Sequence, residues 1–228
     1  MDAIDPKREA KRGRKTALSQ AGRPLGERAL RTRERLLDVT AALLREKGVL
    51  GLSVVEIARS ADTSPGTFYH YFHDVEDAAL MLAERAGRDM PAVVELIDGS
   101  WDGAAGLDRA RAIAQRFVEH WDTHHAALSL RNLAADRGDA RFQQVRRATL
   151  RPIVDHFTAK IQEYQRAGRV ATTIHPGVAA AGILALLERL SAHKQVMRRL
   201  EASNEDLVET CARMIHQTVT GSAGDGTG

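Results

Sequence analysis

The segment LLDVTAALLREKGVLGLSVVEIARSADTSPGTFYHYFHDVEDAALML, residues 36–82, constrains this chain most, because its caps, turn and apolar spacing agree on two short helices joined sharply. Ser53 can accept a hydrogen bond from the free amides of a helix beginning at Val54, and Glu56 follows three residues later, as a capping box requires. The predicted first helix covers residues 54–61. Ile57, Ala58 and Ala61 share one face, and the small Ala58 lets a second helix cross closely. Asp62 takes the turn, where a backbone near the left-handed region is wanted and Gly is the commoner choice. Ser64 and Pro65 then read as N-cap and first helical position. Pro presets φ, lacks an amide that would be orphaned there, and holds Ser64 extended. A helix over residues 65–72 follows.

Phe68 and Phe72, four apart, pack inward and leave Gly66, Thr67, Tyr69, His70 and Tyr71 toward the outside or the flanks. Such a face suits DNA. Gly66 admits a phosphate close to the backbone, and the others offer hydroxyls, a ring nitrogen and aromatic faces to phosphates, base edges and thymine methyls. An aromatic core helix is the competing reading. Aromatics are 4% of the chain, yet four of them fall within residues 68–72 beside a capped turn, which favours the DNA-facing one.

The block over residues 33–82, above all SPGTFYHYFHDVEDAAL, resembles the N-terminal domain of TetR-family transcriptional regulators. The resemblance implies an all-α homodimer: an N-terminal three-helix DNA-binding domain with a helix-turn-helix, followed by a helical ligand-binding and dimerisation domain. It implies that Ser53 and Val54 meet phosphate at the start of the second helix. It also places Ser64, Pro65, Gly66, Thr67, Tyr69, His70 and Tyr71 in the recognition helix. Pro65 stands where Lys is common in that family, and Val75 stands where a Lys usually grips phosphate, so each departure removes one cationic contact.

The N-terminal arm can supply that charge. Residues 1–35 hold eleven Lys or Arg against five acids, a surplus of six on a chain whose net charge is +3, so the remainder is mildly acidic at −3. KREAKRGRKTALSQAGRPLG has too few large apolar residues to fold alone and is expected to be disordered until it lies along a phosphate backbone or in a minor groove. A passive extension is the alternative. Arg31, Thr32 and Arg33, where arm and domain meet, complete the predicted DNA-contact set. The expected organisation is an arm over 1–30, a DNA-binding domain over 31–75, a helical body over 76–220 and a disordered tail over 221–228. No apolar run suits a signal peptide, and the longest, VAAAGILALL, is far short of a membrane span. The lone Cys211 excludes an intrachain disulfide, fits a reducing cytoplasm and lies in line with Leu207, Met214 and Ile215, as core packing requires.

Further on, Asp74 should cap a fourth helix that decays into a loop at Pro91 and the Gly-rich IDGSWDGAAG. A helix over residues 107–123 presents Leu107, Ala110, Ala114, Phe117, Val118 and Trp121 on one stripe, and a shorter one over 126–136 ends at Gly138. The segment 140–167 aligns Phe142, Val145, Thr149, Ile153, Phe157, Ile161 and Tyr164, with a kink expected at Pro152. Two last helices, 176–200 and 205–219, combine an apolar first half rich in Ala and Gly with a stripe through Cys211. In the family resembled, two such helices per subunit form the dimer contact; filling a monomer core is the alternative.

The effector site is the least legible part. Phe117, Trp121, Leu128, Phe157 and Tyr164 can line an apolar cavity, with His124, His125, Arg131 and Asn132 orienting a ligand. The aromatics can equally be core, and Arg131 and Asn132 a solvent-facing strip. His120 and His124 have the i, i+4 spacing of paired metal ligands but need a third or fourth ligand, so no metal site is assigned. No cofactor is expected. Nucleophile elbow, P-loop, dinucleotide fingerprint and Cys/His zinc set are all absent from the sequence, so an enzyme is not expected. The partners implied are a double-stranded operator, a small-molecule effector and a second copy of the chain, with no membrane contact. The expected function is a repressor released from a palindromic operator by an apolar or amphipathic ligand; an architectural or activating DNA binder without such a response is the alternative.

Overall fold

A computed structural model describes residues 25–48 and 51–222, apart from the side chains of residues 197 and 198. The basic arm expected over residues 1–24 and most of the expected tail therefore lie outside the described residues. Those described are all-α and divide into two compact units between Met81 and Leu82.

In the first unit, α1 (Glu27–Lys47) starts inside the segment expected to be arm, and Leu36, Leu37 and Leu44 form its buried stripe. Thr40 is buried on the same side because its hydroxyl donates to the Leu36 carbonyl at 2.7 Å, which satisfies it without a partner outside the helix. α2 (Val54–Ser60) and α3 (Pro65–Tyr71) follow. Both predicted caps form: Ser53 Oγ accepts from the Glu56 amide and Ser64 Oγ from the Thr67 amide, each at 3.2 Å. The Glu56 carboxylate meanwhile pairs with Lys47 of α1. Asp62 adopts φ 54°, the left-handed turn the motif needs, while Ile57 and Ala58 of α2 and Phe68 and Phe72 are completely buried. α4 (Val75–Ala86) is capped by Asp74, whose Oδ1 accepts from the Asp77 amide at 2.7 Å. The division between units falls within this helix, after Met81.

The second unit departs from expectation at three places. Pro91 does not begin a loop: after a 3-10 turn, Gly87–Asp89, it occupies the first turn of α5 (Pro91–Ile97), a position where its missing amide costs nothing. The helices expected over 107–123 and 126–136 are one, α6 (Gly103–Asp136), because no Gly or Pro interrupts residues 123–126 and Thr123 returns its hydroxyl to the Glu119 carbonyl at 2.9 Å. The helix expected to run to residue 200 breaks at His193 into α8 (Pro176–Ala192) and α9 (Lys194–Arg199). Earlier in the chain, α7 (Ala140–Arg166) continues through Pro152. The final helix, α10 (Asn204–Thr220), starts with a complete capping box of Ser203 and Asp206 and ends on Gly221 at φ 72°.

α6 is the axis of this unit, packed by α5, α7, α8 and α10. Leu107, Ala110, Ala114, Phe117, Val118 and Trp121 are all buried, as the stripe predicts, in one core with Ile153, Phe157 and Ile161 of α7 and Leu207, Cys211 and Ile215 of α10. Trp101 closes the end of this core. Its Nε1 donates to the Ile97 carbonyl at 2.8 Å, and its ring meets Phe157 edge-on at 5.9 Å. Gly106 makes this possible, since a Cβ there would stand 1.9 Å from the Trp101 carbonyl oxygen. Burial pushes the Cys211 thiol up to about 11, consistent with core packing.

Candidate functional site

α3 divides its seven residues cleanly. Phe68 is inaccessible, Tyr69 is 54% exposed, and Pro65, Gly66 and His70 are exposed as well. Thr67 and Tyr71 are half-buried on the flanks. The split follows from packing: Phe68 meets Phe72 at a ring separation of 5.1 Å and braces Tyr69 edge-on at 5.9 Å, so the buried pair holds the exposed phenol in place. His70 and Tyr71 make a second edge-on contact at 4.9 Å. Nothing within the described residues requires glycine at position 66, where a Cβ would meet only Ser64 Oγ at an ordinary 3.7 Å.

Beside this helix lies a cleft of about 710 Å³ bounded by Thr67, Tyr71 and Asp62 on one side and Arg28, Thr32 and Arg35 of α1 on the other. Arg28 and Arg35 were not in the predicted set. Their offsets from Thr32, four and three, place all three on one helical face, which is the sequence signal that finds them. Arg31 is exposed near Glu27 at 3.9 Å, and Arg35 lies 3.8 Å from Asp62, both as open surface pairs. Ser53 is exposed and Val54 half-buried at the start of α2.

Arg33 differs from the rest of the expected contact set in its burial. Its side chain is buried, with the guanidinium 5.7 Å from the Phe72 ring centre and Nη2 directed at Met81 Sδ at 2.7 Å. It packs inside the head, where the sequence alone predicts a side chain open to DNA.

A match to the family model described as "Bacterial regulatory proteins, tetR family" covers residues 36–77, and one described as "Tetracyclin repressor-like, C-terminal domain" covers residues 93–224, more than half of the chain. The chain belongs to the TetR family. Solved structures agree on the fold. A putative TetR-family regulator from a Rhodococcus species is 23% identical, with a TM-score of 0.58 over 83% of this chain and 99% of that one. One from Syntrophomonas wolfei is 18% identical, with a TM-score of 0.60 over 85% and 96%. FadR from Bacillus subtilis, solved in complex with stearoyl-CoA, is 18% identical, with a TM-score of 0.59 over 83% and 98%. As a TetR-family protein the chain is a DNA-binding transcriptional regulator with a helix-turn-helix head and a helical C-terminal domain, a class whose members are not enzymes. No helix among the described residues is long and apolar enough to cross a membrane.

In this TetR-family body, the predicted effector residues take two different roles. Phe117, Trp121, Leu128 and Phe157 are at most 2% exposed and belong to the core. Arg131 does not face solvent: it is 1% exposed, donates to Glu188 of α8 at 2.7 Å and to Asn132 Oδ1 at 3.0 Å, and leaves Nη1 without a partner. Burial lowers its pKa from the ordinary range while Glu188 opposes that shift. Glu188 and its neighbour Arg146 edge a groove of about 540 Å³ between α7 and α8, floored by Leu150, Val154, Ala181 and Leu184. His125 has its Nε2 3.2 Å from the Ala192 carbonyl.

His124 belongs to a separate cleft of about 210 Å³ with His120 and Asp89. Burial, followed by the charges of His124 and Arg131, pushes the His120 imidazole down to about 4. Asp89, on the 3-10 turn 35 residues before His124, escaped sequence reasoning because only the tertiary fold brings it there.

Proposed function

We propose that this TetR-family chain is a homodimeric cytoplasmic repressor that leaves a palindromic operator when an apolar or amphipathic small molecule occupies its C-terminal domain. The observation that carries the DNA half is α3, which presents Gly66, Tyr69 and His70 outward on a helix pinned by Phe68 and by the Ser64 cap. Tyr69 and His70 read base edges and thymine methyls, while Ser53, Val54, Ser64, Pro65, Gly66 and Thr67 set the register through phosphate contacts. Thr32 and Arg31 on α1, with the newly found Arg28 and Arg35, add backbone grip. The arm supplies much of the remaining charge.

Dimerisation through residues 176–200 and 205–219 is supported by the surface of α8, where Val178 is 69% exposed and Ala181, Gly182 and Ala185 lie along the same helix. On α10, Leu207, Cys211, Ile215 and Val219 are spent inside the chain, leaving Met214, 47% exposed, as its apolar contribution. A two-fold axis would then set two copies of α3 one helical turn apart, about 34 Å, to read successive major grooves. The ligand class is supported by the stearoyl-CoA bound to FadR; the groove between α7 and α8 shares Ala181 and Ala185 with the surface assigned to the partner copy. Effector and operator would be coupled by about 1–3 kcal/mol.

Purified protein should retard a palindromic fragment from upstream of its own gene with a steep salt dependence, and Tyr69→Ala should weaken that binding. Failure of both would remove the reading. Deleting residues 1–24 should lower the slope of log K against log salt by about 0.9 for each phosphate that the arm neutralises.

A further inference from the structure

One polar cluster in the body shares no residue with the DNA-facing helix or with the groove between α7 and α8. α6 places His120 and His124 one turn apart, with ring centres 5.1 Å from each other, over the 3-10 turn that carries Asp89. His124 Nε2 and Asp89 Oδ2 are 3.4 Å apart, and one potential ligand atom from each of the three residues lies within 4.8 Å of the other two. His120 is 8% exposed, lines the same cleft, and has a buried Nδ1 with no hydrogen-bond partner. An imidazole nitrogen buried without a partner beside a second imidazole and a carboxylate is a ligand set lacking its acceptor.

We propose that Asp89, His120 and His124 bind one divalent first-row transition-metal ion, with zinc as the ion best matched to the set. Imidazole nitrogens select such ions over magnesium and calcium, which take oxygen ligands. Bonds of about 2.0–2.2 Å in tetrahedral geometry put ligand atoms about 3.3 Å apart. The His124–Asp89 pair already has that spacing, and the other two pairs, within 4.8 Å, close by adjustment of both the His124 ring and the Asp89 side chain, which are 22% and 68% exposed. Three protein ligands leave the fourth position to water or to Glu119, which lines the cleft together with Arg116. The cleft is lined by Asp89 and Glu119 against Arg116, and the nearby Arg131, whose charge is felt at His120, is paired with Glu188. Bound metal would fasten the turn at Asp89 to the middle of α6 within the body. The site neither uses nor requires the DNA-facing helix.

Titration of the untagged full-length protein with Zn²⁺ by calorimetry tests this, with Co²⁺ absorption as a second readout of coordination. The expected result is one ion per chain and a Co²⁺ spectrum of nitrogen and oxygen ligation without a thiolate band. Asp89→Asn and His124→Ala, both at positions that packing does not need, should each weaken binding by at least about 10-fold. His73→Ala, on the DNA head, should leave affinity unchanged, and Mg²⁺ should not displace Co²⁺. His120→Gln probes the buried ligand, with circular dichroism reporting that the variant is folded. Absence of Zn²⁺ binding, binding unchanged in both Asp89→Asn and His124→Ala, or equal competition by Mg²⁺ would overturn the proposal.

Discussion

α3 and α6 both carry aromatics at four-residue spacing, Phe68 with Phe72 and Phe117 with Trp121, yet the two helices use them in opposite ways. In α3, Phe68 and the capping Phe72 are buried so that Tyr69 and His70 can stand outside, and seven residues with their own caps suffice. In α6, Phe117 and Trp121 are buried by neighbours on several sides, and even His120 and Arg131 are drawn in. A short, locally capped helix on one side of a small unit keeps a free face. A long helix at the centre of a larger unit does not, so its polar residues must find partners inside. Changes in the body should therefore cost stability, and changes on α3 should cost DNA affinity at nearly constant stability.

The largest effect is expected at the Arg131–Glu188 pair. Glu188→Ala leaves a buried guanidinium without its carboxylate and should destabilise the body by about 3–5 kcal/mol, read by denaturant unfolding. A loss below about 1 kcal/mol would mean that water reaches Arg131 and that this part of α6 is no more enclosed than α3. Gly106→Ala comes next, at about 3 kcal/mol, because its methyl would press on the rigid Trp101 backbone. Tyr69→Ala should cost about 1–3 kcal/mol in operator binding with an unchanged melting temperature. A large drop in melting temperature would erase the contrast between the two helices. Ser64→Ala removes the cap of α3 and should cost about 1 kcal/mol, confined to the head and visible as faster amide exchange there. The smallest expected signal is chemical: with its thiol raised to about 11 by burial, Cys211 should react with a thiol reagent at about pH 8 only as fast as the body opens, and rapidly once unfolded. Fast labelling of native protein would show that α10 is loosely held.

The head was legible because each of its decisions is local. Ser53, Ser64, Pro65 and Asp62 act on backbone within three or four residues, so the caps and the left-handed turn could be read one residue at a time. Arg33 was misplaced for another reason: it stands three and four residues before Leu36 and Leu37 on the buried stripe of α1, but its charge and not its register guided the expectation of exposure. In the body the apolar stripes of α6 and α7 were equally readable, because periodicity reports which face is buried. What periodicity does not report is continuity: the join across residues 123–126 and the break at His193 depend on side-chain bonds and packing and not on Gly or Pro.

From the residue order alone came an all-α chain, a capped helix-turn-helix, the inward Phe68 and Phe72, and the TetR-family resemblance, all consequences of contacts within a turn or two of helix. Only the folded body decided that Phe117, Trp121, Leu128 and Phe157 are core, that Arg131 is buried against Glu188, and that Asp89 meets His120 and His124. Those outcomes depend on contacts between residues tens of positions apart, whose geometry is set by how helices pack and leaves no spacing pattern in the sequence.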